Sequence, residues 1–145
     1  MHRKRFATLV VLAVTAVVLA GCSGAVLAEQ DVRPADVEPV PGSALSSVTL
    51  TEQAAERLGI ETTQVKPGQA GGTVVPYSAV LYDADGGTWV YTNPDGLTFV
   101  RASISVDDID GDVARLSNGP AAGTAIATVG VAELFGAEMG VGDPE

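Results

Sequence analysis

The segment Gly87-Thr88-Trp89-Val90-Tyr91-Thr92-Asn93-Pro94-Asp95-Gly96-Leu97-Thr98-Phe99-Val100-Arg101 decides the fold. Thr88 to Thr92 is a run of β-branched and aromatic residues, the composition that suits a pleated, half-buried strand. Asn93-Pro94-Asp95-Gly96 reads as a turn, because Pro sets φ and Gly accepts φ > 0. From Leu97 to Val106 the side chains alternate: Thr98, Val100, Ala102, Ile104 and Val106 on one face, Phe99, Arg101, Ser103 and Ser105 on the other. A period of two is the mark of a strand, and runs of this kind broken by turn residues predict an antiparallel sheet.

The pattern continues outward in both directions. Thr73 to Tyr82 is β-prone, with Pro76 marking an edge, bend or bulge. Asp83 to Gly87 is a turn. Downstream, the acidic stretch Asp107 to Asp112 predicts a turn with Gly111 at its φ > 0 position. Asp112–Leu116 and Ala125–Val129 are two more strands, joined by Gly119-Pro120-Ala121-Ala122-Gly123. Val131 to Phe135 reads as one helical turn or a strand end, and Gly140 to Glu145 as a frayed tail. Upstream, Ser46–Leu50 and Ile60–Val65 are strands flanking a short helix at Thr51–Leu58. Thr51 caps that helix, Glu52 sits at its positive end, and Gly59 suits the C′ position. The expected fold is mostly β, a small antiparallel β-barrel or β-roll with one short helix, over residues 45–139.

Residues 1–21 form a different kind of segment. Arg3-Lys4-Arg5 precedes an apolar run from Phe6 to Ala20, followed by Gly21 and Cys22. This is the three-part pattern of a secretory signal. A membrane span needs about 20 apolar residues, and the run supplies 15, so an uncleaved signal anchor is the weaker reading. Leu19-Ala20-Gly21-Cys22 resembles the lipobox of bacterial lipoproteins, which implies a diacylglyceryl group on Cys22. Two acyl chains suffice for stable attachment, at about 0.8 kcal/mol per buried CH₂. Residues 22–44 then read as the lipidated N-terminus and a tether, interrupted by Pro34, Pro39, Pro41 and Gly42. Such a chain has an r.m.s. reach of about 25 Å. The expected location is the outer face of the cytoplasmic membrane.

Composition excludes several functions. From Cys22 onward there are 5 basic and 18 acidic residues, which repels phosphate backbones and argues against nucleic acid as a partner. The one His, His2, precedes Cys22, and Cys22 is the one Cys. The commonest general base is therefore absent, as is any zinc site of the usual Cys/His kind. Ser78 and Ser103 have no evident activating partner, so no catalysis is expected. Asp107, Asp108, Asp110 and Asp112 fail the calcium-loop spacing: counted from Asp108, position six is Val113 and position twelve Gly119. No cofactor or metal is expected, although a loose oxygen-ligated cation site in the acidic stretch stays open. Trp89, Tyr91, Tyr82 and Phe99 form either a binding surface or core, and aromatics on alternating strands are more often core.

Val75-Pro76-Tyr77-Ser78-Ala79-Val80, Gly87-Thr88-Trp89-Val90-Tyr91 and Phe99-Val100-Arg101 together resemble the membrane-proximal region of periplasmic adaptor subunits, the membrane fusion proteins of efflux transporters. The later Gly-containing places of that family are held here by Gly111, Gly119, Gly123 and Gly130. Val48 to Ile60 is similar to the family's N-terminal entry. The resemblance implies structural roles for Pro76, Ser78, Ala79 and those four glycines. It also implies a non-catalytic accessory module whose partner is a proton-driven or ATP-driven inner-membrane transporter. Complete adaptors insert a lipoyl-like domain and a long helical hairpin between the two halves. Here only residues 66–73 lie between Val65 and Val74, so the halves are fused directly. The alternative is an extracytoplasmic lipoprotein module that binds a small ligand or a cell-wall component.

Overall fold

The computed structural model describes residues 33–141; the signal segment, Cys22 and the first part of the tether lie outside the described residues, as does the tail from 142 onward. The elements are β1 (Ala35–Pro39), β2 (Ser46–Leu50), α1 (Glu52–Leu58), β3 (Glu61–Gln64), β4 (Lys66–Pro67), β5 (Thr73–Pro76), β6 (Leu81–Tyr82), β7 (Thr88–Asp95), β8 (Thr98–Ser103), β9 (Ser105–Asp110), β10 (Val113–Asn118), β11 (Ala125–Val129) and α2 (Val131–Glu138). They build two antiparallel sheets. The larger has the order β1-β2-β8-β7-β11-β3, with β6 added beside β7, and the smaller the order β4-β5-β10-β9. β3 continues into β4 through Val65, and β8 into β9 through Ile104. Two chain segments therefore run from one sheet into the other.

There are two apolar cores. Val48, Leu50, Tyr91, Phe99, Ala127, Val131 and Leu134 bury one face of the larger sheet beneath the helices. Val65, Val75, Ala79, Val90, Ile104, Ala114, Leu116 and Ile126 form the second core. Successive side chains of a strand point to opposite faces. Val90 and Tyr91 thus serve different cores, as do Ile126 and Ala127. β7 and β11 are consequently covered on both faces at these positions, which accounts for the consecutive apolar residues Trp89-Val90-Tyr91 and Ala125-Ile126-Ala127.

Local signals place α1 where the sequence predicts. Thr51 Oγ1 accepts from the Ala54 amide at 3.1 Å, and Gly59 closes the helix at φ 62°, the left-handed conformation that glycine adopts without steric penalty. β2 and β11 also lie on their predicted spans.

The structure corrects other expectations. Ala35–Pro39, within the stretch read as tether, is a strand in full register with β2. Its acids and Pro39 disguised it, but an outer strand tolerates both because one edge and one face meet water. Among the described residues there are two α-helices, not one: Val131 starts α2, and just past its end the Val141 amide donates to Gly136 O at 2.9 Å, while 142–145 of the stretch read as tail lie outside the described residues. The acidic stretch is mostly strand β9, with the turn reduced to Gly111 and Asp112. β7 runs on to Asp95 through a register shift. There the Asn93 amide donates to Gly96 O at 2.7 Å and Thr98 O at 2.9 Å, bridging the place where Pro94 has no N–H to offer. The run from Thr73 to Tyr82 breaks after Pro76 into a 3₁₀ turn, Tyr77–Ala79, before β6.

Candidate functional site

The residues singled out by the sequence resemblance sit at turns and strand ends. Pro76 ends β5 opposite Val113, and the Tyr77 amide donates to Asp112 O at 2.7 Å. The Pro76-to-Ala79 turn and the Gly111 turn are thereby joined. Ala79 is fully buried, whereas Ser78 is exposed with nothing to activate it. The Gly123 amide donates to Val65 O at 2.8 Å. A Cβ on Gly119 would lie 3.1 Å from Ile104 Cγ2. Gly130 precedes α2 at φ 82°, and a Cβ there would fall 2.1 Å from Ile60 Cδ1. These residues shape the backbone and are not gathered into one site.

The densest polar centre lies between β7, β8 and α2. Tyr91 donates its hydroxyl to Glu138 Oε2 at 2.6 Å, and Arg101 Nε lies 2.8 Å from the same oxygen. The Nε–H is not directed at it and makes no hydrogen bond, so charge attraction holds the pair. The Arg101 and Glu138 side chains are 11% and 2% exposed. The guanidinium lies between two rings, 4.9 Å from the Trp89 centroid and 5.3 Å from that of Phe135. Trp89 Nε1 in turn donates to Asp83 Oδ2 at 2.7 Å, and Asp83 Oδ1 accepts from the Gly87 amide at 2.6 Å. The Trp89 indole first, then the Gly87 amide, holds the Asp83 carboxyl below its ordinary range. Burial, and then the bond to Glu138, pushes the Tyr91 phenol well above its ordinary value. Tyr91 is therefore a protonated donor and cannot serve as a base near neutral pH. The network fastens the end of α2 to the sheet; it exposes neither a nucleophile nor a cavity for substrate.

Sequence reasoning missed this network. A signal was available: Val131, Leu134, Phe135 and Glu138 share one helical face, and an acid on an apolar face asks for a buried partner. The four aromatics divide, with Tyr91 and Phe99 in the core, Trp89 half-buried and Tyr82 exposed.

The acidic strand is largely self-satisfied. Arg115 bridges Asp108 and Asp110, and Ser117 donates to Asp107 at 2.6 Å. Among the described residues no group of three His, Cys, Asp or Glu side chains is placed to hold a metal ion, and no helix is long and apolar enough to cross a membrane. Two grooves remain. One, of about 270 Å³, lies at the Gly68–Gly72 turn beside Arg115 and Ser117. The other, of about 260 Å³ and mostly apolar, lies between β3 and β5. No family model, curated protein or solved structure matches this chain.

Proposed function

We propose that this chain is a lipid-anchored, non-catalytic, adaptor-like module of an inner-membrane efflux or export transporter, held by acylated Cys22 at the outer face of the cytoplasmic membrane. One observation carries the reading: the two halves of the sequence that resemble the adaptor family pair strand by strand. β2 lies on β8 and β3 on β11. Where complete adaptors insert their outer domains, this chain makes the tight turn Gly68–Gly72, with the Gly68 amide donating to Gly72 O at 2.8 Å. On this reading the two sheets are one partly open β-roll, joined by the segments that pass through Val65 and Ile104.

The test is to isolate the full lipidated chain from its own membranes after brief cross-linking and identify what is attached. Recovery of an inner-membrane transporter, lost when Cys22 is replaced, supports the proposal. If no transporter is recovered but a cell-wall fragment or small solute raises the melting temperature, the ligand-binding alternative takes its place. A ligand at 100 times its Kd adds about 2.7 kcal/mol of stability.

A further inference from the structure

The larger sheet ends on β3, and this edge differs from the other free edges. β1 carries Asp36, Glu38 and Pro39, and β9 carries three Asp residues and a register shift near Asp107. Charges, proline and bulges are the devices that keep an edge from pairing. β3 reads Glu61-Thr62-Thr63-Gln64, with no charge after its first residue. The Val65 amide donates to Thr124 O at 2.9 Å, and Val65 O accepts from the Gly123 amide at 2.8 Å. Backbone groups alternate in direction along an antiparallel strand. Thr63 therefore turns its N–H and C=O toward β11, and Thr62 and Gln64 turn theirs to the free edge. Lys66, the next outward position, is used by β5 at Val74. Beyond that pair β3 and β5 separate, and the groove between them is lined by Val74, Pro76 and Val113, above the buried Val75. Val113 is 40% exposed. The opposite rim ends on Pro76, which has no N–H to donate.

We propose that this cleft takes an extended, positively charged segment of a partner protein, added as a strand along β3 with every second side chain apolar and resting on Pro76 and Val113. Main-chain bonds to Thr62 and Gln64 provide the pairing, and the groove selects the alternate side chains. Charge decides the partner. Residues 33–141 hold 5 basic and 14 acidic side chains, Arg101 and Arg115 are already paired, and at the cleft the acids Asp112 and Glu61, the latter at the start of β3, outnumber the one cation, Lys66. A second copy of this chain would meet like charge, whereas a basic segment is attracted. The proposal does not depend on the adaptor reading.

The probe is a short fluorescent peptide alternating Lys and Val, with a Glu/Val counterpart and a version carrying proline at alternate positions. Binding to the full chain in neutral detergent is followed by anisotropy and by amide hydrogen exchange. The basic peptide is expected to bind at least about tenfold more tightly than either control and to slow exchange at Thr62 and Gln64. Thr62→Pro removes an outward N–H, and Val113→Lys fills the groove with like charge. Each is expected to weaken binding about tenfold; if Thr62→Pro does not fold, Val113→Lys carries the test. Equal binding of the basic and acidic peptides, binding that leaves Thr62 and Gln64 exchange unchanged, or self-association that protects the same amides would overturn the proposal.

Discussion

Replacing Glu138 by Gln keeps the shape of the side chain and an oxygen for the Tyr91 hydroxyl, but removes the charge that faces Arg101. With Glu138 at 2% and Arg101 at 11% exposure, solvent screens this pair far less than a surface pair. Breaking a buried pair from one side is destabilising by about 3–5 kcal/mol, because the remaining charge is left uncompensated. Here the guanidinium keeps two aromatic faces, at 4.9 and 5.3 Å, and a cation over a ring gains about 0.5–2 kcal/mol. The expected loss is therefore about 2–4 kcal/mol, a large part of a typical domain stability of about 5–15 kcal/mol. At about 4 °C per kcal/mol for a domain of this size, the melting temperature should fall by about 8–16 °C. Trp89 is the one tryptophan and stacks on the same guanidinium, so its fluorescence reports urea unfolding directly. The double variant Arg101→Met with Glu138→Leu should be more stable than Glu138→Leu alone, since two apolar side chains replace the pair without stranding a charge. If Glu138→Gln loses under about 1 kcal/mol, or the two substitutions simply add, the network is not the latch on α2 that its geometry implies.

Other outcomes follow from the same structure. Gly130→Ala combines a left-handed backbone with a Cβ 2.1 Å from Ile60 Cδ1; it should lose about 2–3 kcal/mol in urea unfolding, with Ile60→Val recovering the steric share and leaving the backbone share of about 1–2 kcal/mol. The Asp83 carboxyl is lowered in the folded state, so its stabilisation is present above the ordinary carboxylate value of about 3.9 and is lost as pH falls through the lower folded value. Between pH 6 and pH 3 the urea midpoint should fall more in the parent chain than in Asp83→Asn. Deleting residues 45–66 removes β2 from beside β8 and β3 from beside β11; cooperative unfolding monitored by Trp89 should vanish, and a retained transition with an unchanged midpoint would show that this half is only a tether. Cys22→Ala should release the chain into the soluble fraction or block its processing, as membrane fractionation will show.

Much of the local structure was legible without coordinates, because its causes are local. Thr51 and Gly59 specify the ends of α1 through capping bonds a few residues long, and β2 and β11 are short β-prone runs bounded by their own breakers. Gly111 was legible as a φ > 0 turn residue, Gly119 to Gly123 as a connection and Pro76 as an edge, bend or bulge, though not what each touches. What the order of residues could not carry was pairing between distant segments. β1 looked like tether because its acids and proline are tolerable only on an outer strand, and nothing in Ala35–Pro39 announces that β2 lies beside it. The acidic stretch looked like a loop because Arg115 and Ser117, which answer its carboxylates, stand on β10. Arg101 was only one position of an alternating strand; it shares its face with the buried Phe99, and which acid it would meet there, Glu138 on α2, depends on how that helix packs. The division into two sheets was likewise decided by tertiary structure. Alternation tells which side chains share a face of a strand, but which sheet covers that face depends on strands 40 and more residues away, whose contacts repay their loop-closure entropy only when the whole set assembles.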